Sequence, residues 1–194
     1  MKNLKIMAIS AIMVVVASVV CAADGPIPFD VTITIRSAKK QSEAGVTKNA
    51  PDEGEAYYCS FTKSAEFPNE SQIVLTSDKK YDLTNYKFFI FDVTVDSLDL
   101  LKDVTEFSPR IYTEMYGSYF QVLWSDAWFE AINKLQRPGT WVTVKCPLND
   151  TSKIRGLLAY KNVLDKIGVI ELIFIHSGRA DTKGMWYFRN LRFE

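Results

Sequence analysis

The chain is poor in the residues that most enzymes and metal sites draw on. Its 194 residues include one histidine and three cysteines. Histidine-rich metal sites are thereby removed, and zinc would need carboxylates for most of its ligands. A Ser-His-Asp arrangement would have to use His176, and no Gly-x-Ser-x-Gly elbow accompanies it. Charge of one sign is missing as well. The 23 Lys and Arg balance 23 Asp and Glu, without a basic run, so the footprint of a nucleic-acid binder is absent. No phosphate loop, dinucleotide fingerprint or internal repeat occurs. What is present is a chain of globular composition, 47% hydrophobic and 13% aromatic.

The first residues stand apart. Lys2 and Lys5 precede an uncharged, largely apolar run from Ile6 to Val20, followed by the small residues Ala22 and Ala23. A positive start, a short apolar stretch and a small-residue cleavage site make residues 1–22 a secretory signal peptide. The run falls short of the roughly 20 residues that span a bilayer, so no transmembrane segment is expected after cleavage. Lipidation of Cys21 is the alternative, although Ser18 and Val20 fit such a signal poorly. Cleavage removes two lysines and Cys21, leaving a slightly acidic chain with Cys59 and Cys146. Export places both in a disulfide-permissive compartment. A bridge between them and two buried thiols are equally open. The expected location is secreted, periplasmic or cell-surface.

Period-2 alternation dominates the rest. Phe29, Val31, Ile33 and Ile35 alternate with Asp30, Thr32, Thr34 and Arg36, the pattern of a half-buried strand. Residues Ser37–Gly54 are polar, with almost nothing to bury, and read as a long loop. Residues 23–54 are therefore an N-terminal strand and loop, and 55–194 the main domain. Further strands are expected at Ala56–Phe61, Ile73–Thr76, Lys87–Val95, Arg110–Tyr116, Tyr119–Trp124, Trp141–Leu148, Gly168–His176 and Met185–Phe193. One helix is expected after Ser125 as its cap, with Trp128, Ile132 and Leu135 as the apolar stripe and Pro138-Gly139 as the stop. Short helical turns are expected at Ser97–Lys102 and Leu164–Ile167. Many short strands with few helices make an all-β fold, a two-sheet antiparallel jelly-roll sandwich with one or two short helices.

Arg110–Trp124 carries the most information. Gly117-Ser118 suits a two-residue type II′ turn, pairing Tyr116 with Tyr119, Glu114 with Gln121 and Tyr112 with Leu123. One face of that hairpin carries Arg110, Tyr112, Glu114, Tyr116, Tyr119 and Gln121. The other carries Ile111, Thr113, Met115, Phe120, Val122 and Trp124 and is core. The first face suits a sugar, whose C–H surface packs on tyrosine rings while planar donors and acceptors meet its hydroxyls. A solvated face on which tyrosines merely favour strands is the competing reading. On an exposed face, truncating Tyr112 would weaken binding more than stability.

The order of several segments is also familiar. Tyr81-Asp82-Leu83-Thr84-Asn85-Tyr86-Lys87-Phe88-Phe89-Ile90-Phe91-Asp92-Val93 is a polar turn leading into a strand that ends Phe-Asp-Val. Gly139-Thr140-Trp141-Val142-Thr143-Val144 is a Gly-x-Trp strand, and Trp186-Tyr187-Phe188-Arg189-Asn190-Leu191-Arg192-Phe193 closes the chain. Together, over about residues 55–194, these resemble galactose-binding-domain-like jelly rolls. The resemblance implies a two-sheet sandwich, frequently a carbohydrate-binding module attached to secreted glycan-degrading enzymes. It places ligands on the concave sheet or on edge loops, and Asp92, which projects from its strand opposite to Phe91 and Val93, is an additional candidate to line such a face. Many members hold a structural calcium through an acidic residue in the last-strand motif. Arg189 stands at that place here, which puts the calcium in doubt.

Three functions follow from this. The first is a secreted, non-catalytic protein that binds a poly- or oligosaccharide, alongside a glycan-degrading enzyme or a cell-surface assembly. The second is a structural or protein-interaction domain of the same fold without sugar binding. The third, a jelly-roll lyase or hydrolase, lacks a credible base, because the lone His176 sits in an apolar strand.

Overall fold

Alternating apolar residues need two surfaces to close against, and the chain supplies both. The computed structural model describes residues 25–35, 43–62, 70–102, 104–114, 117–156, 160, 163–176 and 183–194. The signal-peptide segment 1–22, with Cys21, lies outside the described residues. The first sheet contains β1 (Ile27–Pro28), β3 (Glu43–Thr47), β4 (Ala56–Thr62), β6 (Phe88–Val95), β10 (Val142–Pro147) and β13 (Lys183–Phe193). Its order is β10-β6-β13-β4-β3, with β1 also pairing β13. The second contains β2 (Thr32–Ile35), β5 (Glu70–Tyr81), β7 (Val104–Phe107), β8 (Arg110–Tyr112), β9 (Tyr119–Val122), β11 (Ile154–Arg155) and β12 (Ile167–His176). Its order is β11-β9-β8-β12-β5-β2, with β7 also pairing β12. Every described pairing is antiparallel. The fold is a two-sheet jelly-roll sandwich.

The two inner faces meet in an aromatic core. Phe107 stacks on Phe174 at 4.8 Å between ring centroids, and Trp128 stacks on Trp186 at 5.4 Å. Phe89 lies between Phe193 at 5.5 Å and Trp124 at 6.1 Å, and carries the cluster to the far end of the sandwich. The Trp124 indole N–H donates to Pro147 O at 2.9 Å, so burying its one polar atom leaves no debt. Core aromatics of this size cost about 3–5 kcal/mol each to truncate to alanine.

Two α-helices, α1 (Asp99–Lys102) and α2 (Ser125–Ile132), are described, with a 3-10 turn at Thr151–Lys153. Ser125 does not cap α2. Trp124 is the cap residue, without a side-chain cap bond, and Ser125 Oγ accepts from Phe107 N–H at 2.9 Å, tying the helix start to β7. Leu135 lies beyond the helix end and is buried all the same. Around Leu164 a helical bond runs from its N–H to Tyr160 O, and β12 begins at Ile167.

One further expectation from the sequence is corrected, one open alternative is decided and two short strands are added. The polar stretch 37–54 is not all loop, because Glu43–Thr47 forms β3 on β4. An edge strand needs a backbone partner more than a buried face. Gly45 fits there because a Cβ would come within 3.2 Å of the Tyr58 ring laid across it. The stretch 23–54 therefore contributes β1 and β3 to one sheet and β2 to the other. The two cysteines are both free and buried. Cys59 on β4 and Cys146 on β10 are separated by β13 and β6, at least three strand spacings or roughly 14 Å across the sheet, and are further offset along the strands. A disulfide needs Cα atoms within about 7 Å, so no bridge can form without unpicking the sheet. The strands Val104–Phe107 and Ile154–Arg155 went unread because each is too short to show a period.

Candidate functional site

The hairpin keeps its faces but not its turn. Observed partners are Arg110 with Gln121, Ile111 with Phe120 and Tyr112 with Tyr119. Relative to a two-residue turn, Tyr112 meets a partner four residues nearer. An even slip leaves every side chain on its expected side. The loop is closed lower down, where Thr113 N–H donates to Ser118 O and Gly117 N–H to Glu114 O at 2.9 Å. A Cβ on Gly117 would lie 2.9 Å from both Glu114 Cγ and Thr113 Oγ1, so its place is set by close approach rather than by a II′ turn.

The outer face of the second sheet can then be read across its strands. One row runs Arg155, Gln121, Arg110, Glu171, Val74 and Thr34 from β11 to β2. The next runs Tyr119, Tyr112, Val169, Thr76 and Thr32 from β9 to β2. Of the residues expected from the sequence, Arg110, Tyr112, Tyr119 and Gln121 are brought together here. Glu114 is exposed in the loop beyond the strand ends. Tyr116 lies outside the described residues, as does the side chain of His176 at the end of β12. Asp92 does not join the face. It sits on the outer face of the first sheet, across the sandwich, where Thr143 Oγ1 donates to it at 2.7 Å and Asn190 Nδ2 at 2.6 Å.

The tyrosines divide the work. Tyr119 is 46% exposed, whereas Tyr112 is only 4% exposed and packs with Val74 and Val169. Their ring centroids are 5.0 Å apart with 35° between planes. Arg110 Cζ lies 5.8 Å from the Tyr119 ring centroid. The open ring is thus Tyr119, with Tyr112 as its support.

Sequence reading missed the residue underneath. Glu171 is fully buried and its Oε2 accepts the Tyr112 hydroxyl at 2.7 Å, with Arg110 Nη1 3.6 Å away. Burial, followed by donation to Glu171, pushes the Tyr112 phenol up to about 12. The signal was available, since Glu171 is the one acid in the run Gly168–Ile175. Arg155 was missed too. It is exposed next to Gln121, and its strand has two residues. The Gln121 amide donates to Ser108 O at 3.4 Å, which leaves its carbonyl oxygen available as an acceptor.

The calcium implied by the last-strand motif does not fit these residues. The Arg189 guanidinium pairs with Asp52 and lies 3.9 Å over the Trp141 ring, so a cation is already built in at that place. Arginine also holds the Asp52 carboxyl below the usual carboxylate range. Among the described residues no cluster of three or more His, Cys, Asp or Glu could hold a metal ion.

No protein-family model and no curated protein matches the chain. Solved structures do. A family 11 carbohydrate-binding module from Clostridium thermocellum, in complex with a β-1,3-1,4-mixed-linked tetrasaccharide, aligns over 89% of this chain and 96% of its own, with 13% identity and a TM-score of 0.53. The Caldicellulosiruptor saccharolyticus module CBM27-1, in complex with mannohexaose, aligns over 89% and 98%, with 11% identity and a TM-score of 0.53. A β-1,2-glucanase from Parabacteroides distasonis aligns over 85% of this chain but 23% of its own, with 11% identity and a TM-score of 0.52. The chain thus has the jelly-roll fold of carbohydrate-binding modules. Among the described residues no helix is long and apolar enough to cross a membrane.

Proposed function

We infer that this is an exported, non-catalytic carbohydrate-binding protein that takes a poly- or oligosaccharide on the outer face of its second sheet. The observation that carries the reading is the half-exposed Tyr119 ring, flanked by Arg110 and Gln121 and backed by Tyr112. An aromatic ring offers a flat surface to the C–H face of a sugar. The Arg110 fork donates to ring or hydroxyl oxygens, and the Gln121 carbonyl accepts from a hydroxyl. The two modules of the same fold with bound sugars support this use of the scaffold. We assign this face no catalytic role, since its buried acid, Glu171, is covered and engaged by Tyr112 and Arg110. The protein would act beside glycan-degrading enzymes or in a surface assembly outside the cytoplasm. N-terminal sequencing of exported material should begin near Ala23.

The test is affinity electrophoresis of the mature protein in gels containing mixed-linkage β-glucan, glucomannan or agarose. Retardation by at least one glycan, reduced by Tyr119→Ala, is expected. Free migration in every gel would refute the reading and favour a protein-interaction role.

A further inference from the structure

Glu171 lies on the outer face of the second sheet, yet it is fully buried. Its row neighbour on β5 is Val74, and Val169 and Ile173 share its face of β12. Stripping water from a carboxylate is costly, and apolar residues in place of a whole buried polar group of this kind are often as stable or more so. Packing alone therefore gives no reason for an acid here. Its contacts do give one. The carboxylate accepts a hydrogen bond from the Tyr112 hydroxyl at 2.7 Å and draws Arg110 to 3.6 Å. Both partners then bear on Tyr119, Tyr112 by ring contact at 5.0 Å and Arg110 at 5.8 Å. One acid anchors, from beneath, the two side chains that hold the exposed ring.

We propose that Glu171 is a positioning residue for glycan recognition: it touches no ligand, but orients Arg110 directly and Tyr119 through Tyr112. The proposal rests on the glycan reading of this face. Its advantage is preorganisation, because an unanchored arginine and tyrosine would lose rotamer freedom on binding. Glutamine at this position keeps an acceptor for Tyr112 but loses the charge that draws Arg110 down. Leucine keeps neither.

Affinity electrophoresis in the same three glycans, with melting temperatures in parallel, separates positioning from folding. Glu171→Gln should weaken retention several-fold at a melting temperature near that of the wild type, and Glu171→Leu by about tenfold or more with a lower melting temperature, because it leaves the Tyr112 hydroxyl and Arg110 without their acceptor. In Glu171→Gln affinity then falls while stability holds. If Glu171→Leu binds as tightly as the wild type, or if affinity merely tracks melting temperature, the proposal is overturned and the glycan reading stands. If Glu171→Leu does not fold, Glu171→Gln decides: a several-fold loss at unchanged melting temperature supports the proposal, and unchanged affinity overturns it. A wild type that no glycan retards overturns the reading of the face, and the proposal with it.

Discussion

Tyr112 and Tyr119 are cross-strand neighbours of the same type, and they should respond to mutation in opposite ways. Tyr119 is 46% exposed, so Tyr119→Ala removes a ring that already spends much of its surface on water. Its stability cost should stay below about 1 kcal/mol, chiefly the lost cross-strand contact with Tyr112. Its cost in glycan binding should be about 1–3 kcal/mol, as for an aromatic hot spot. Tyr112, at 4% exposure, behaves as core. Tyr112→Ala should cost about 3–5 kcal/mol of stability through the cavity. Tyr112→Phe isolates the hydroxyl: it removes one hydrogen bond to a charged acceptor at 2.7 Å, about 1.5–3 kcal/mol. For a domain of this size each kcal/mol moves Tm by roughly 2–4 °C, so Tyr112→Phe should melt roughly 3–12 °C lower. The assay is thermal unfolding and glycan titration on the same three variants. A Tyr119→Ala protein as unstable as Tyr112→Ala, or a Tyr112→Ala protein that melts like the wild type, would show that the burial difference is misassigned.

Tyr112 also sets an alkaline limit. Its phenol keeps its proton in the folded state up to about 12 but loses it near 10 when unfolded, so stability should fall as pH rises from about 10 to 12. Urea denaturation across that range should show a shallower decline in Tyr112→Phe, and an identical slope would refute the assignment. Burial raises the pKa of both Cys59 and Cys146, so neither thiol should react with a disulfide reagent until the protein unfolds, when both should. A reductant should leave Tm unchanged, and a fall in Tm would reveal a bridge. A calcium chelator should shift Tm little, because Arg189 supplies the cation at the last-strand motif. A loss on the order of 10 °C would mean several kcal/mol of metal linkage and a site elsewhere in the chain.

Alternation is a local property, and what it revealed here is local. It separated Ile111, Phe120 and Val122 from Arg110, Tyr112 and Gln121 correctly, even though the turn was placed wrongly. The slip was even, and an even slip conserves faces. It also showed that Asp92 points away from Phe91 and Val93. It could not show which sheet that strand would join, since membership depends on pairings between β6, β10 and β13 that lie far apart in the chain. The same limit applies to Cys59 and Cys146, whose separation is a count of strands between them.

Glu171 illustrates a different failure. In sequence it interrupts Val169-Ile170-Glu171-Leu172-Ile173, which reads as a strand buried on both faces, where one acid invites little comment. A residue buried on both sides of a sheet needs a cover, and one face of β12 does face the sandwich core through Ile170, Leu172 and Phe174. The other face carries Val169 and Glu171, and Tyr112 and Arg110 from β8 lie beside them. An acid in an apolar strand is therefore a question about what lies across the next strand. Here β8 answers it with a hydroxyl and a guanidinium. Arg110 and Glu171, side by side as row partners, make the tyrosine face a layer with a buried floor. Tyr112 belongs to the floor and Tyr119 to the surface.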